Sequence, residues 1–418
     1  MFILFFTQKK NSTVEEIIYE PFIPINNEEH NIKNYTKSKF NLNHTRYYFQ
    51  EEYNRRKLFR INYSYFPYIK ILQNNLSYEE NAKYIYNSTG MLNITKLDYY
   101  YFKNKTTINS FNLNQIHLSM ALDKNYCDLS LISIASILNT SSYDTYIHFH
   151  ILGLNFGFKE IKKIIELKKI NNKVDFIFYN AQQVEYDFEI GSYEPRGFGA
   201  FAKILSPQII NNTNKILILD SGDILCQKDL SEIFFYDIGD NYFGWILENC
   251  AGNDLKYSGL NKFMTNKFYP NSGVFLVNIG LFRRDELYKK AVFVAKSYFN
   301  LLCADQDILI TIAEYKFKYI PFNYNIHLYY QTEQDKVKKN NISPIENWLN
   351  EQQYSPYKYT LDEILDAISD PVIQHFYKGK IEEKDVCDKY VIQWLKYAKL
   401  TGQYINLKLK YPKPFRCE

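Results

Sequence analysis

Between Asn114 and Leu219 the chain alternates short apolar runs with longer stretches whose apolar residues fall three and four apart. Ile116–Leu122 (IHLSMAL), Tyr146–Leu152 (YIHFHIL), Val174–Tyr179 (VDFIFY) and Lys215–Leu219 (KILIL) have the length and apolar content of strands. Asp128–Leu138, Lys159–Lys169 and Phe198–Ile210 carry the helical spacing between them, the last interrupted by Pro207. Strand and helix alternating in this order predict a parallel, Rossmann-like sheet with right-handed crossovers. The fourth strand has no polar alternation, which predicts burial on both faces at the centre of the sheet.

After Leu219 the pattern becomes mixed. Asn241–Leu247 and Gly273–Val277 read as strands, Arg284–Asn300 and Asp305–Tyr315 as helices, and Gln331–Ser355 as a polar surface insertion. Residues 1–112 are polar, rich in Asn and Tyr, and lack α/β alternation, with helical candidates only at Tyr48–Arg60 and Leu76–Tyr86. Three parts follow: an N-terminal extension or stem (1–112), an α/β domain (113–385) and a C-terminal tail (386–418).

Composition narrows the function. With 46% apolar and 23% charged residues the chain is an ordinary globular protein. A net charge of +4, with no basic stripe carrying interleaved aromatics, excludes nucleic acid as the expected partner. Six cysteines stand far apart without a C-x-x-C pair, which excludes a zinc ribbon; Cys387 and Cys417 are a candidate disulfide. Met1–Phe6 (MFILFF) is too short for a signal core or a membrane span, but is compatible with the remnant of an anchor that would tether the chain to a membrane. N-x-S/T acceptors are dense, at Asn11, Asn34, Asn43, Asn62, Asn75, Asn87, Asn93 and Asn104, and again at Asn139, Asn211 and Asn341. That density predicts the lumen of the secretory pathway (ER or Golgi), with the cytosol as the alternative.

Five constellations carry candidate chemistry. The strand Lys215–Leu219 stops in Asp220-Ser221-Gly222-Asp223, where a Gly-containing turn presents two carboxylates suited to a divalent cation. Open α/β sheets bind ligands beyond the carboxyl ends of their strands, which is where this turn falls. At the end of the first strand, Ala121, Asp123, Asn125 and Tyr126 offer acceptors, donors and a stacking face for a nucleotide base; an Asp capping the next helix explains Asp123 equally well. Asn271-Ser272-Gly273 opens onto the apolar run VFLVN and suits sugar hydroxyls, or a plain turn before a strand. Asp305 and Gln306 begin a helix, where capping also favours acids. His375 ends an apolar strand, with Gly379 and Lys380 just after it as a phosphate-binding pair; a lone His there is also compatible with a satisfied, partly buried residue.

In this order the five resemble the retaining glycosyltransferases of family 8, the group that includes glycogenin and the bacterial lipopolysaccharide galactosyl- and glucosyltransferases. The resemblance covers about residues 114 to 385 and rests on LILDSGDILCQKDLSEIF, NSGVFLVN and ADQDIL. It implies an α/β fold of GT-A type, a mixed Rossmann-like sheet flanked by helices that binds a nucleotide-diphospho-sugar. It places Ala121, Asp123, Asn125 and Tyr126 at uridine, and Lys203 at the donor position usually held by Arg or Lys. Asp220, Asp223 and His375 fall on the metal ligands, Asn271, Asp305 and Gln306 beside the transferred sugar, and Gly379 and Lys380 on the diphosphate. Gln306 becomes the nearest candidate to the reactive carbon. The implied reaction moves a hexose or pentose from a UDP-sugar to a glycan or protein acceptor, with retention and with Mn²⁺ or Mg²⁺.

This chain departs from the family pattern in three places. Its acids are D-x-x-D, one residue wider than D-x-D; Lys380 is followed by Ile381-Glu382 rather than Pro-Trp; and Lys378 stands where Gly is common. Two rival readings remain from the sequence: a sugar-nucleotide-binding module that does not turn over, and an aspartyl phosphatase, whose D-x-D-x-T pattern is absent.

Overall fold

The computed structural model describes residues 113–417 apart from 155, 182–183, 185–186, 189–198, 248–269, 298–303, 315, 328–358 and 377–387, together with four short strands before residue 113. Two compact units divide the chain, Met1–Pro67 and Tyr68–Glu418. In the first, Ile17–Ile18 pairs antiparallel with Arg60–Ile61. The helices expected at Tyr48–Arg60 and Leu76–Tyr86 fall outside the described residues, Arg60 excepted, as do the insertion Gln331–Ser355, Cys387, Gly379 and Lys380.

The second unit is built as the apolar pattern predicts. Its elements run β1 (Asn114–Asp123), α1 (Cys127–Thr140), β2 (Thr145–Leu154), α2 (Phe158–Ile165), β3 (Val174–Asn180), α3 (Gly199–Ile209), β4 (Lys215–Leu219), β5 (Ile224–Cys226) and α4 (Ser231–Phe235). There follow β6 (Phe243–Leu247), β7 (Pro270–Asn278), α5 (Ile279–Arg284), α6 (Leu287–Ser297), α7 (Ala304–Ala313), β8 (Phe317–Tyr319) and β9 (Ile326–His327). The chain closes with α8 (Leu361–Ser369), β10 (Ile373–His375), α9 (Lys389–Leu400) and α10 (Tyr404–Lys410).

The central sheet is mixed. Seven strands lie in the order β8-β6-β7-β4-β1-β2-β3, and Tyr99–Tyr101 and Ile69–Ile71 extend it beyond β3. Part of the segment read as an extension thus joins the sheet. Strands β4, β1, β2 and β3 are mutually parallel, whereas β7 runs antiparallel to both β4 and β6. All seven residues of β3 are buried, as are Ile216–Leu219 of β4, in keeping with layers on both sheet faces.

Sequential strands β1, β2 and β3 proceed to one side and the chain then returns past β1 to lay down β4. The order reverses between β1 and β4, and the carboxyl ends of strands at such a reversal form a crevice. Register pairs Met120 with Leu219, so the Asp123 and Asp220 turns leave the sheet side by side.

A second sheet, β9-β10-β5, secures that edge. Its middle strand pairs His375 with Ile224 and Ile373 with Cys226, antiparallel. Two α1 hydroxyls one turn apart hold β5: Ser133 Oγ donates to the Ile224 carbonyl at 2.8 Å, and the Cys226 amide donates to Ser136 Oγ at 2.9 Å. The serines of DLSLISIASIL therefore place the strand after the acidic turn. The C-terminal segment packs here too. Val391, Trp394, Leu395 and Ala398 of α9 are buried in one cluster with Leu129, Ile132 and Ala135 of α1 and Leu225 of β5. Cys417 is disulfide-bonded. Among the described residues no helix is long and apolar enough to cross a membrane.

Two helices differ from expectation. The helix expected over Arg284–Asn300 is broken, because Asp285 and Glu286 form a turn with Glu286 at φ 52°, and α6 starts afresh at Leu287. Pro207 stays inside α3 near its C-terminal end, where Arg283 Nε donates to its carbonyl at 2.9 Å and satisfies one of the groups left over at a helix terminus.

Candidate active site

The acidic turn works because of Gly222. Its φ of +84° lies in the left-handed region, and a Cβ there would stand 3.0 Å from Leu129 Cβ of α1. The extra residue in D-x-x-D is thus absorbed by a bend that only glycine makes without strain. As a result, one ligand atom each from Asp220, Asp223 and His375 lies within 4.8 Å of the others. His375 Nε2 is 3.6 Å from Asp220 Oδ2 and 3.5 Å from Asp223 Oδ2.

The fit to a cation rests on two further observations. Asp223 Oδ1 is buried without a hydrogen-bond partner among the described residues, a costly state for a carboxylate oxygen unless a cation shares the site. Gly273 lines the same space. A Cβ built there would lie 2.4 Å from His375 Cε1 and 2.8 Å from Asp220 Oδ2, so the cradle depends on the missing side chain. Two carboxylates and an imidazole suit a first-row divalent ion.

Lys203 of α3 organises the acids from behind. Buried to 5% exposure, its Nζ bonds Asp220 Oδ1, lies 3.0 Å from Asp305 Oδ2 and donates to the Ser272 carbonyl at 3.2 Å. Burial opposes its charge, but the carboxylates of Asp220 and Asp305 outweigh burial and raise its pKa. Asp220 in turn is pushed up by burial and by Asp223, against the pull of Lys203. With Oδ1 held by Lys203, Asp220 keeps Oδ2 towards His375.

The Asn271-Ser272-Gly273 start of β7 and the Asp305-Gln306 start of α7 meet face to face. Gln306 Oε1 accepts from the Ser272 amide at 2.9 Å and from Asn271 Nδ2 at 3.5 Å, while Ser272 Oγ donates to Asp305 Oδ2 at 2.8 Å. Asn271 and Gln306 are each 5% exposed. Asn325, between Tyr324 and β9, has no sequence motif around it and was missed. Its Nδ2 donates to Asn271 Oδ1 at 2.7 Å, and its Oδ1 lies 3.0 Å from His375 Nδ1. His327 of β9, also missed, sits edge-on to His375 with ring centroids 5.2 Å apart.

At the neighbouring turn, Asp123 Oδ1 accepts from the Asn125 and Tyr126 amides at 2.7 and 2.8 Å. Asp123 Oδ1 thus shapes the turn rather than capping α1, whose N-cap position is Tyr126. Ala121 is buried at the strand end, whereas Asn125 and Tyr126 are exposed. Lys410 of α10 donates to the Asn125 carbonyl and to Asp128 Oδ2, each at 3.2 Å, so the C-terminal helix props this turn. Of the expected site residues, the structure brings Lys203, Asp220, Asp223, Asn271, Asp305, Gln306 and His375 into one connected cluster. Ala121, Asp123, Asn125 and Tyr126 line the next strand end.

The sequence profile of glycosyl transferase family 8 matches residues 117–346, more than half of the chain. The chain belongs to that family. No curated protein matches it significantly in sequence. Among solved structures, an active-site mutant of LgtC aligns at a TM-score of 0.53 and 20% identity, covering 69% of this chain and 96% of LgtC. The galactosyltransferase LgtC in complex with donor and acceptor sugar analogs aligns at 0.51 and 19%, with the same coverage. The bifunctional glycosyltransferase WbbM aligns at 0.53 and 17% over 70% of this chain, which spans only 51% of WbbM. At these identities the likeness is one of fold: the family 8 chain carries the GT-A architecture expected from its sequence.

Proposed function

We propose that this protein transfers a hexose or pentose from a UDP-sugar to an acceptor hydroxyl of a glycan or glycoprotein, with retention of anomeric configuration and with a divalent cation. The observation that carries the reading is the convergence of Asp220, Asp223 and His375, whose ligand atoms lie within 4.8 Å, at the sheet's reversal point. These three residues would hold Mn²⁺ or Mg²⁺, and the mixed oxygen–nitrogen set favours Mn²⁺. When bound, the ion supplies Lewis-acid stabilisation of the charge that develops on the departing diphosphate.

The chain's own groups do the rest. Lys203, itself buried, adds a fixed positive charge beside Asp220 and Asp305, where such charge acts strongly. The Asp123 turn presents Asn125 and Tyr126 to the nucleoside, with buried Ala121 at the end of the strand before them. Asn271, Asp305 and Gln306 form a wall of buried polar groups suited to sugar hydroxyls, and a pocket built to pair hydroxyls rejects ligands that lack them. Gln306 stands nearest the reacting carbon in this reading, with its carbonyl held by Ser272. Gly379 and Lys380 would hold the diphosphate. Exposed sequons at Asn139 and Asn211 support a luminal location in the secretory pathway.

Purified protein with Mn²⁺ is expected to hydrolyse one member of a panel of UDP-sugars slowly, and Asp223→Ala to abolish this with unchanged circular dichroism. Metal-dependent UDP binding without turnover of any donor, with or without acceptors, would establish the binding-module alternative instead. Phosphate release from a generic phosphomonoester would overturn the transferase reading.

A further inference from the structure

The amide groups around His375 can be oriented without reference to any assigned hydrogen. A backbone amide is always a donor, so whatever side-chain atom it touches must be an acceptor. The Ser272 amide touches Gln306 at 2.9 Å, which makes that atom the oxygen of Gln306. The Asn271 atom facing it at 3.5 Å is then the Asn271 nitrogen. The Gly273 amide reaches the other Asn271 atom at 2.8 Å and independently requires it to be oxygen. Two backbone donors therefore agree on one orientation of Asn271.

The next link follows. An atom of Asn325 lies 2.7 Å from the Asn271 oxygen and must be the Asn325 nitrogen, because two amide oxygens at that distance would repel. The remaining Asn325 atom is oxygen, and it lies 3.0 Å from His375 Nδ1. An amide oxygen accepts only, so Nδ1 carries the imidazole proton. Nε2 is then the lone-pair nitrogen, and it is the atom 3.5–3.6 Å from the two aspartates. Asn325 is 1% exposed and His375 likewise, so water does not compete for these bonds.

We infer that Asn325 is a positioning residue that fixes the Nδ1–H tautomer of His375, and through Asn271 ties the metal-facing imidazole to the sugar-facing strand start. The inference rests on the metal site proposed above, but its first test does not. Outer partners of a ligating histidine select the tautomer and hold the ring, and their loss typically weakens metal binding 10- to 100-fold. The link also makes a physical connection between two subsites. A shift of Asn271 on sugar binding would reach His375 through a single amide.

The test uses ¹⁵N-histidine NMR of the full chain without metal under alkaline conditions, where imidazoles are neutral, with His375→Gln to assign the resonance. The wild type is expected to show the Nδ1–H form of His375. Asn325→Leu is expected to give a tautomer mixture and a Mn²⁺ dissociation constant raised about 10-fold or more. Asn325→Asp keeps an acceptor facing Nδ1 and is expected to retain the tautomer, although it can no longer donate to Asn271. An Nε2–H resonance in the wild type, or an Asn325→Leu spectrum identical to wild type, overturns the inference. If Asn325→Leu does not fold, the wild-type and Asn325→Asp spectra decide it. A wild type that shows the Nδ1–H form but binds neither Mn²⁺ nor UDP would sink the proposed function while leaving the role of Asn325 standing.

Discussion

Lowering the pH from neutrality should destabilise this fold well before its carboxylates titrate, because of three histidines that face one another across β1 and β2. His117 is opposite His148 in the strand register, with stacked rings 4.5 Å apart, and His150 stacks on His117 at 5.3 Å. His117 Nδ1 bonds His150 Nε2 at 3.0 Å, and His150 Nδ1 bonds the Tyr179 hydroxyl at 2.6 Å. Among the described residues, Asp175 lies 3.9 Å from His148 and Lys168 pairs with Asp175. Gln115 also lies 3.0 Å from His148 Nε2, and the rings of Tyr146 and Phe234 lie against His148 and His117. Burial and the neighbouring His148 lower the His117 pKa from 6.5 to about 3, and burial with both neighbours holds His150 well below its ordinary value.

The sign follows from proton counting. Below pH 6.5 the unfolded chain binds protons at these two positions that the folded chain refuses, so stability falls as pH falls. Each refused proton costs about 1.4 kcal/mol per pH unit, so two histidines cost roughly 4 kcal/mol between about pH 6.5 and about pH 5. That is a large share of a typical stability of about 5–15 kcal/mol. Urea unfolding at several pH values reads the slope directly. Replacing both residues (His117→Asn with His150→Gln) should flatten it, by up to about 3 kcal/mol per pH unit, whatever the variant's absolute stability. Parallel slopes for wild type and variant between about pH 6.5 and about pH 5 would refute the reasoning.

Two further substitutions test the site's construction. Gly273→Ala places a methyl 2.4 Å from His375 Cε1; Mn²⁺ titration calorimetry should show weaker binding, and urea unfolding a loss of about 1–3 kcal/mol. Lys203→Met leaves the Asp220 and Asp305 carboxylates without their shared cation and should cost about 3–5 kcal/mol by the same measurement. An unchanged unfolding midpoint in the lysine variant would mean that the acids are satisfied by something other than Lys203.

Much of this was legible in the sequence because burial on both faces leaves an unmistakable signature. KILIL announces a central strand and VDFIFY reads as a strand too, and the placement of DSGD after the first of them follows from the general geometry of α/β sheets. The compatibility of a widened D-x-x-D with one cation was not legible, since it depends on φ at Gly222 and on the α1 contact that the glycine permits. The small sheet was hidden for another reason. Of its strands only β10, ending at His375, was expected; β9 and β5, of two and three residues, are too short to show periodicity and exist only through pairing with distant chain. Asn325 was invisible because a buried amide leaves no pattern in its neighbours. The break at Glu286 was overlooked because Asp and Glu are unremarkable inside a helical run.

The pairing of β5 with β10 also bears on how the protein is made. Gln227 and Gln374, whose side chains bond at 3.0 Å beside that ladder, lie 147 positions apart in the chain. A ribosome adding about 5–20 residues per second needs roughly 7 to 30 s to pass from one to the other. During that interval the two acids of the turn have been synthesised and the imidazole that completes their site has not. The proposed metal site is therefore a late product of synthesis, and a chain halted before β10 would carry the acids of the site without its histidine.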